Sequence, residues 1–192
     1  MAVMLFMEAP GATVEDYERV SDLIRLREDV PAGLVHHTAG HDGDAIVVVD
    51  VWESEEAIGR FFDERLGAAL AEVGIEVKNG KPTILPVHNA LTGSGSDAGV
   101  LLVMDMAGMS AGDYDSMTAQ MDAHEGDGSN HASVSHTAAR KDDGGLLIVD
   151  VWDSPESFGR FAQEQMGDAA ADIGPIEPRV VPVHNRMEGQ PG

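Results

Sequence analysis

The chain has 192 residues, 43% of them apolar and 24% charged, which is enough to bury a core and ordinary for a soluble protein. Asp and Glu number 34 against 12 Lys and Arg, and the net charge of −22 argues against nucleic-acid and membrane-surface partners, because both carry the same sign. With no cysteine there are no disulfides, thiol nucleophiles or thiolate metal centres; no apolar run approaches the roughly 20 residues of a membrane span, and the start lacks a basic-then-apolar leader, so the expected location is the cytoplasm.

In chain order, VMLFM at Val3–Met7 is a short apolar run bounded by turn residues and reads as a buried strand. Thr13, with Asp16 three residues on, is a capping-box start for a helix in which Tyr17, Val20, Leu23 and Ile24 recur at helical spacing. Two extended segments follow, Gly33–Ala39 and Ala45–Trp52, joined by the turn-rich GHDGD. Ser54 then caps a second helix whose expected apolar face is Ile58, Phe61, Phe62, Leu66, Ala69 and Leu70, ending at Gly74. A last strand carries TILPVHN.

The same series then returns. VLLVM at Val100–Met104, a cap at Ser110, extended segments at Ala132–Ala138 and Leu146–Trp152, a cap at Ser154 with Pro155 at the first helical position, a helix end at Gly174 and the strand RVVPVHN follow in the same order. Between Val49–Gly74 and Val149–Gly174, 14 of 26 positions are identical without a gap, so the chain is a duplication. The expected division is a first repeat at 1–91, a Gly/Ser linker at 92–99 and a second repeat at 100–188.

The order βαββαβ is the ferredoxin-like motif, with both helices on one face of an antiparallel sheet. IVVVDVW and LLIVDVW are apolar on nearly every residue, so the second face is expected to be buried as well. The expected fold is α+β, two ferredoxin-like repeats packed sheet to sheet as a pseudo-two-fold barrel able to hold a small ligand.

Trp52-Glu53-Ser54-Glu55-Glu56 and Trp152-Asp153-Ser154-Pro155-Glu156, each following an apolar strand and leading to Phe61 or Phe161, resemble the dimeric α+β barrel superfamily, in particular antibiotic biosynthesis monooxygenase-like proteins. The resemblance spans both repeats and implies a cofactor-independent monooxygenase, or a related isomerase or cyclase, acting on an aromatic polyketide-like substrate. Haem-degrading relatives place a second Trp and a haem-ligating His where this chain has Phe61 and Ala71, or Phe161 and Ala171, so no haem or other cofactor is expected.

The chemistry available rests on paired residues. Asp50 and Asp150 interrupt apolar strands, either as pocket bases or as structural carboxylates; His37 or His136 is the expected base for the same reaction, with Asp50 or Asp150 orienting it. Trp52, Trp152, His88, His184, Asn89, Asn185, Tyr17 and Tyr114 are the candidate pocket residues. HHTAGHDGD, with His36, His37 and His41, has no regular metal-ligand spacing, so no metal site is expected. His124 and His131 occur only in the second repeat, where the run Glu125–His131 with Gly126 and Gly128 is a candidate gate. Two readings stay open: an enzyme on a small apolar or aromatic molecule, or a non-catalytic barrel binding such a ligand, with a monomer expected and higher oligomers open. An active pocket is expected to be unequal, dominated by one repeat.

Overall fold

The computed structural model describes residues 1–93, 97–125, 133–166 and 178–189. Its elements are β1 (Val3–Pro10), α1 (Val14–Leu23), β2 (Leu34–His41), β3 (Ala45–Trp52), α2 (Glu55–Phe61), α3 (Gly67–Val73), β4 (Thr83–Thr92), β5 (Val100–Met106), α4 (Ala111–Glu125), β6 (Ser135–Arg140), β7 (Leu146–Trp152), α5 (Pro155–Phe161) and β8 (Arg179–Glu188). The strands hydrogen-bond in the order β1-β3-β2-β8-β5-β7-β6-β4 and close as a barrel, the α+β architecture expected of two ferredoxin-like repeats. The expected helix end at Gly174, Ala171, the candidate gate through Gly126 and Gly128, His131, the side chain of His124 and the middle of the linker lie outside the described residues.

Two compact units make up the chain, Met1–Pro86 with Pro182–Gly192, and Val87–Val181. Their boundaries therefore fall inside β4 and β8. In the first unit β1 lies between β3 and the start of β4, and β2 pairs with β3 on one side and with the end of β8 on the other. α1 begins with a complete capping box: Asp16 N–H donates to Thr13 Oγ1 at 3.2 Å, and the Asp16 carboxylate accepts from Thr13 N–H at 2.9 Å. Ser54 accepts from Ala57 N–H to start α2, and Gly74 closes α3 in the left-handed conformation, φ 80°. Leu5, Met7, Ile46, Val48 and Trp52 meet Val20, Ile24, Phe61, Leu66 and Leu70 in one core.

Two positions depart from the expected helix faces. On α1 the buried stripe is Tyr17, Val20, Ser21 and Ile24, while Leu23 is 45% exposed. At 100° per residue Ser21 falls within the i, i+3, i+4, i+7 stripe that starts at Tyr17, and Leu23 does not. Between α2 and α3 one π-helical turn, Phe62–Leu66, inserts an extra residue into the helical repeat. That turn keeps Phe61 and Leu66 inward and turns Phe62 out, 37% exposed, where its ring covers Gly67.

The second unit repeats the pattern. β7 lies between β5 and β6, and the end of β4 pairs with β6. Ser110 and Asp113 form the equivalent capping box, and Ser154 caps α5 with Pro155 at its first position. Met104, Met109, Tyr114, Leu146 and Ile148 form one cluster, and Trp152 packs with Val100, Leu102, Phe158 and Phe161 in another. Every residue of β3 and of β7 is buried, so both faces of each strand are covered.

Candidate functional site

Strand register brings the titratable residues together. His37 stands directly opposite Asp50 across β2 and β3, so both side chains leave the sheet on the same face, under α1. His37 Nδ1 lies 2.7 Å from Asp50 Oδ1, and His37 Nε2 lies 2.9 Å from the hydroxyl of Tyr17, the first residue of the α1 stripe. The Asn185 amide donates to that hydroxyl at 2.7 Å, and Trp52 Nε1 donates to Asp50 Oδ2 at 3.3 Å. A single proton arrangement satisfies the whole row. Asn185 can only donate to Tyr17, so the phenol O–H donates to Nε2, and the neutral ring keeps its proton on Nδ1 for Asp50. Burial pushes the Tyr17 phenol up to about 12, against the Asn185 hydrogen bond and with help from the Asp50 charge, so it stays protonated.

The second unit contains the same row. His136 faces Asp150 across β6 and β7, with 2.6 Å between Nδ1 and Oδ1. His136 Nε2 is 2.7 Å from the Tyr114 hydroxyl, which accepts from Asn89 at 2.9 Å. Burial is the largest single influence on His136 and lowers its pKa, but the charge and hydrogen bond of Asp150 together outweigh it and hold the pKa above the ordinary value. Two details break the symmetry. Trp152 Nε1 is buried without a partner where Trp52 has Asp50, and the His136 side chain is 17% exposed against 6% for His37.

The histidines of the two PVHN segments lie one layer out. His184 sets its ring edge-on to Tyr17, with centroids 5.5 Å apart, and bonds Glu18 at 2.5 Å. Hydrogen bonds from Arg27 and then from His184 bring the Glu18 carboxyl down to about 2. His88 sits edge-on to Tyr114 in the same way, between Asp115 at 2.6 Å and the Arg140 guanidinium at 2.7 Å. His36, the neighbour of His37, is half-buried, and burial lowers its pKa. Among the described residues no group of three or more His, Asp or Glu is arranged to hold a metal ion, and no helix is long and apolar enough to cross a membrane.

The row in the first unit opens on a pocket of about 50 Å³ between sheet and helices. Its walls are apolar, with Leu5, Met7, Val48, Ile24, Phe61 and Leu70 among them; Tyr17, His37 and Asp50 supply a polar patch. Arg65, from the π-helical turn, donates to the Ile24 carbonyl at the end of α1 and lies 5.8 Å over the Phe61 ring, which fixes one wall. Ser21, one turn beyond Tyr17, also lines the pocket. No sequence motif marks it; its signal is its place on the helical stripe four residues after Tyr17. In the second unit Met106 and Met117 take the repeat positions of the pocket residues Ala9 and Val20, and both pack against the cluster around Tyr114.

No family model matches the sequence, and no curated protein is similar to it in sequence. Solved structures share its fold at low identity. A candidate monooxygenase from Fusobacterium nucleatum superposes with a TM-score of 0.72 at 9% identity, covering 100% of this chain and 95% of the other. A ferredoxin-fold protein from Listeria monocytogenes related to antibiotic biosynthesis monooxygenases gives 0.58 at 10% identity, covering 96% and 95%. An anthrone oxidase-like protein gives 0.54 at 13% identity, covering 97% and 93%. The chain therefore has the dimeric α+β barrel fold of antibiotic biosynthesis monooxygenase-like proteins, built as a tandem duplication.

Proposed function

We propose that the protein is a cofactor-independent monooxygenase whose substrate is a small aromatic, polyketide-like molecule with an acidic C–H or O–H. The observation that carries this reading is the Asp50–His37–Tyr17 row opening on an otherwise apolar pocket. His37 is the base: Asp50 fixes its proton on Nδ1 and stabilises the imidazolium that forms when Nε2 takes the substrate proton. Tyr17, released from Nε2 at that moment and held by Asn185, donates to the developing oxyanion. The electron-rich carbanion or enolate then passes one electron to O2, the substrate radical and superoxide join as a peroxide anion, and the His37 imidazolium returns its proton to give the hydroperoxide and regenerate the base. Loss of water converts the original CH2 into C=O, so one O2 is consumed per substrate and no added reductant is needed. The apolar walls keep water from quenching the anion.

One observation favours a second reading, a barrel that binds a ligand without turnover: both nitrogens of His37 and both carboxylate oxygens of Asp50 are already hydrogen-bonded within the chain. Oxygen uptake by the purified full-length protein across anthrones, hydroquinones and naphthols separates the two. The monooxygenase reading expects stoichiometric uptake with at least one of them, lost in His37→Ala. Ligands that raise the melting temperature without uptake would replace it with the binding reading.

A further inference from the structure

We propose that Ser21 is the specificity-determining hydroxyl of the first unit's pocket, bonding a second oxygen substituent of the ligand whose first oxygen lies at Tyr17 and His37. This rests on that pocket being the ligand site of the function proposed above. Ser21 is 2% exposed, lines the pocket, and its Oγ has no hydrogen-bond partner. A serine inside a helix ordinarily returns its hydroxyl to the carbonyl three or four residues back. Thr118, which matches Ser21 in the second repeat, does so, with its Oγ1 3.1 Å from the carbonyls of both Tyr114 and Asp115. Ser21 does not. Its buried hydroxyl is left for something that enters the pocket, since an unmet buried polar group opposes folding.

The geometry limits what that ligand is. Ser21 follows Tyr17 by four residues on the buried stripe of α1, so their Cβ atoms are about 5–6 Å apart. Around them the pocket is Leu, Met, Val, Ile and Phe. A ring fits this pattern when it carries two oxygens, one meeting the Tyr17–His37 pair and the other meeting Ser21. A ring with one oxygen leaves the Ser21 hydroxyl unpaired, and a site with a built-in polar group discriminates strongly against ligands that fail to satisfy it.

The test uses three near-isosteric pairs of probes: catechol with 2-methylphenol, resorcinol with 3-methylphenol, and hydroquinone with 4-methylphenol. Binding to the full-length protein is measured by calorimetry under argon, which separates recognition from oxygen chemistry. In the wild type at least one diol is expected to bind about tenfold more tightly than its methylphenol, the effect of about one hydrogen bond. Ser21→Ala should bring that ratio to about one while keeping or improving methylphenol affinity. Ser21→Cys, of similar volume and with a weak donor, serves if the alanine variant folds poorly, and should also lose the preference. A ratio unchanged in Ser21→Ala, or no diol preference in the wild type, overturns the role of Ser21. Binding of none of the six overturns both that role and the pocket as a ligand site. An intact Ser21-dependent preference without oxygen uptake by any substrate leaves the role standing and removes only the oxygenase chemistry.

Discussion

His37 and Asp50 are cross-strand neighbours whose side chains meet at 2.7 Å in a place where each is about 5% exposed. A carboxylate that deep is tolerated because both its oxygens are met, one by His37 and the other by Trp52. Asp50→Asn keeps the volume but can present an N–H to the ring and no longer holds the proton on Nδ1. Oxygen uptake should fall by about 100- to 10,000-fold, the usual span for a lost general base. The fold should lose only about 1–3 kcal/mol, measured by urea unfolding. Uptake within a few fold of wild type would remove His37 from the chemistry and leave the pair structural.

The two rows share the Asp–His–Tyr–Asn hydrogen bonds and differ at the Trp, which is bonded to the carboxylate only in the first, and the residues above them differ as well. Ala9 and Val20 leave space beside Tyr17, whereas Met106 and Met117 pack around Tyr114. His37→Ala should therefore lose at least about 100-fold in uptake or ligand affinity, while His136→Ala loses less than about threefold. Equal losses from both variants would mean two equivalent sites.

Much of this arrangement was legible in the sequence. The duplication, the Thr13, Ser54, Ser110 and Ser154 caps and the βαββαβ order follow from local signals that tertiary packing did not overrule. The sequence suggests that Asp50 or Asp150 orients His37 or His136, but not which face His37 occupies, because a one-residue slip of β2 would send it to the opposite side, and only the ladder fixes the register. The join between Tyr17 and Asn185 spans 168 positions and depends on β8 pairing with β2, which no local pattern encodes. Leu23 and Phe62 leave the expected apolar faces for different reasons. Leu23 is more apolar than Ser21, but the helical angle puts Ser21 inward, and the π-helical turn at Phe62 breaks the 3.6-residue period.

Glu18 joins His184 to Arg27, and its carboxyl falls from an ordinary 4.5 to about 2 in the folded protein. A depressed folded value means that its contribution to stability is fully present above pH 4.5 and is lost as the pH falls through about 2. Wild type should therefore be more stable than Glu18→Gln at pH 6, and the gap should close progressively between pH 4.5 and 2. Urea unfolding of both proteins across that range measures it. A gap that stays constant with pH would show that Glu18 acts through packing and not through its charge.

Ala9 offers the most direct test of whether the pocket makes the first unit different. It lies 2% exposed on β1 opposite Ile46 and lines the pocket, while its repeat counterpart Met106 lies opposite Leu146. Ala9→Met copies the second unit into the first, placing a flexible apolar side chain against a free volume of about 50 Å³. Methionine adapts its shape and enters existing space, so stability should fall by no more than about 1–3 kcal/mol, the usual cost of extra methylenes in a packed core. Ligand affinity and oxygen uptake should nevertheless drop by about tenfold or more, since the occupied volume is no longer open to a ring. The substitution changes none of Tyr17, His37 and Asp50, so an unchanged histidine titration by NMR alongside lost binding would assign the effect to space alone. Retained binding in a stable Ala9→Met protein would place the ligand elsewhere.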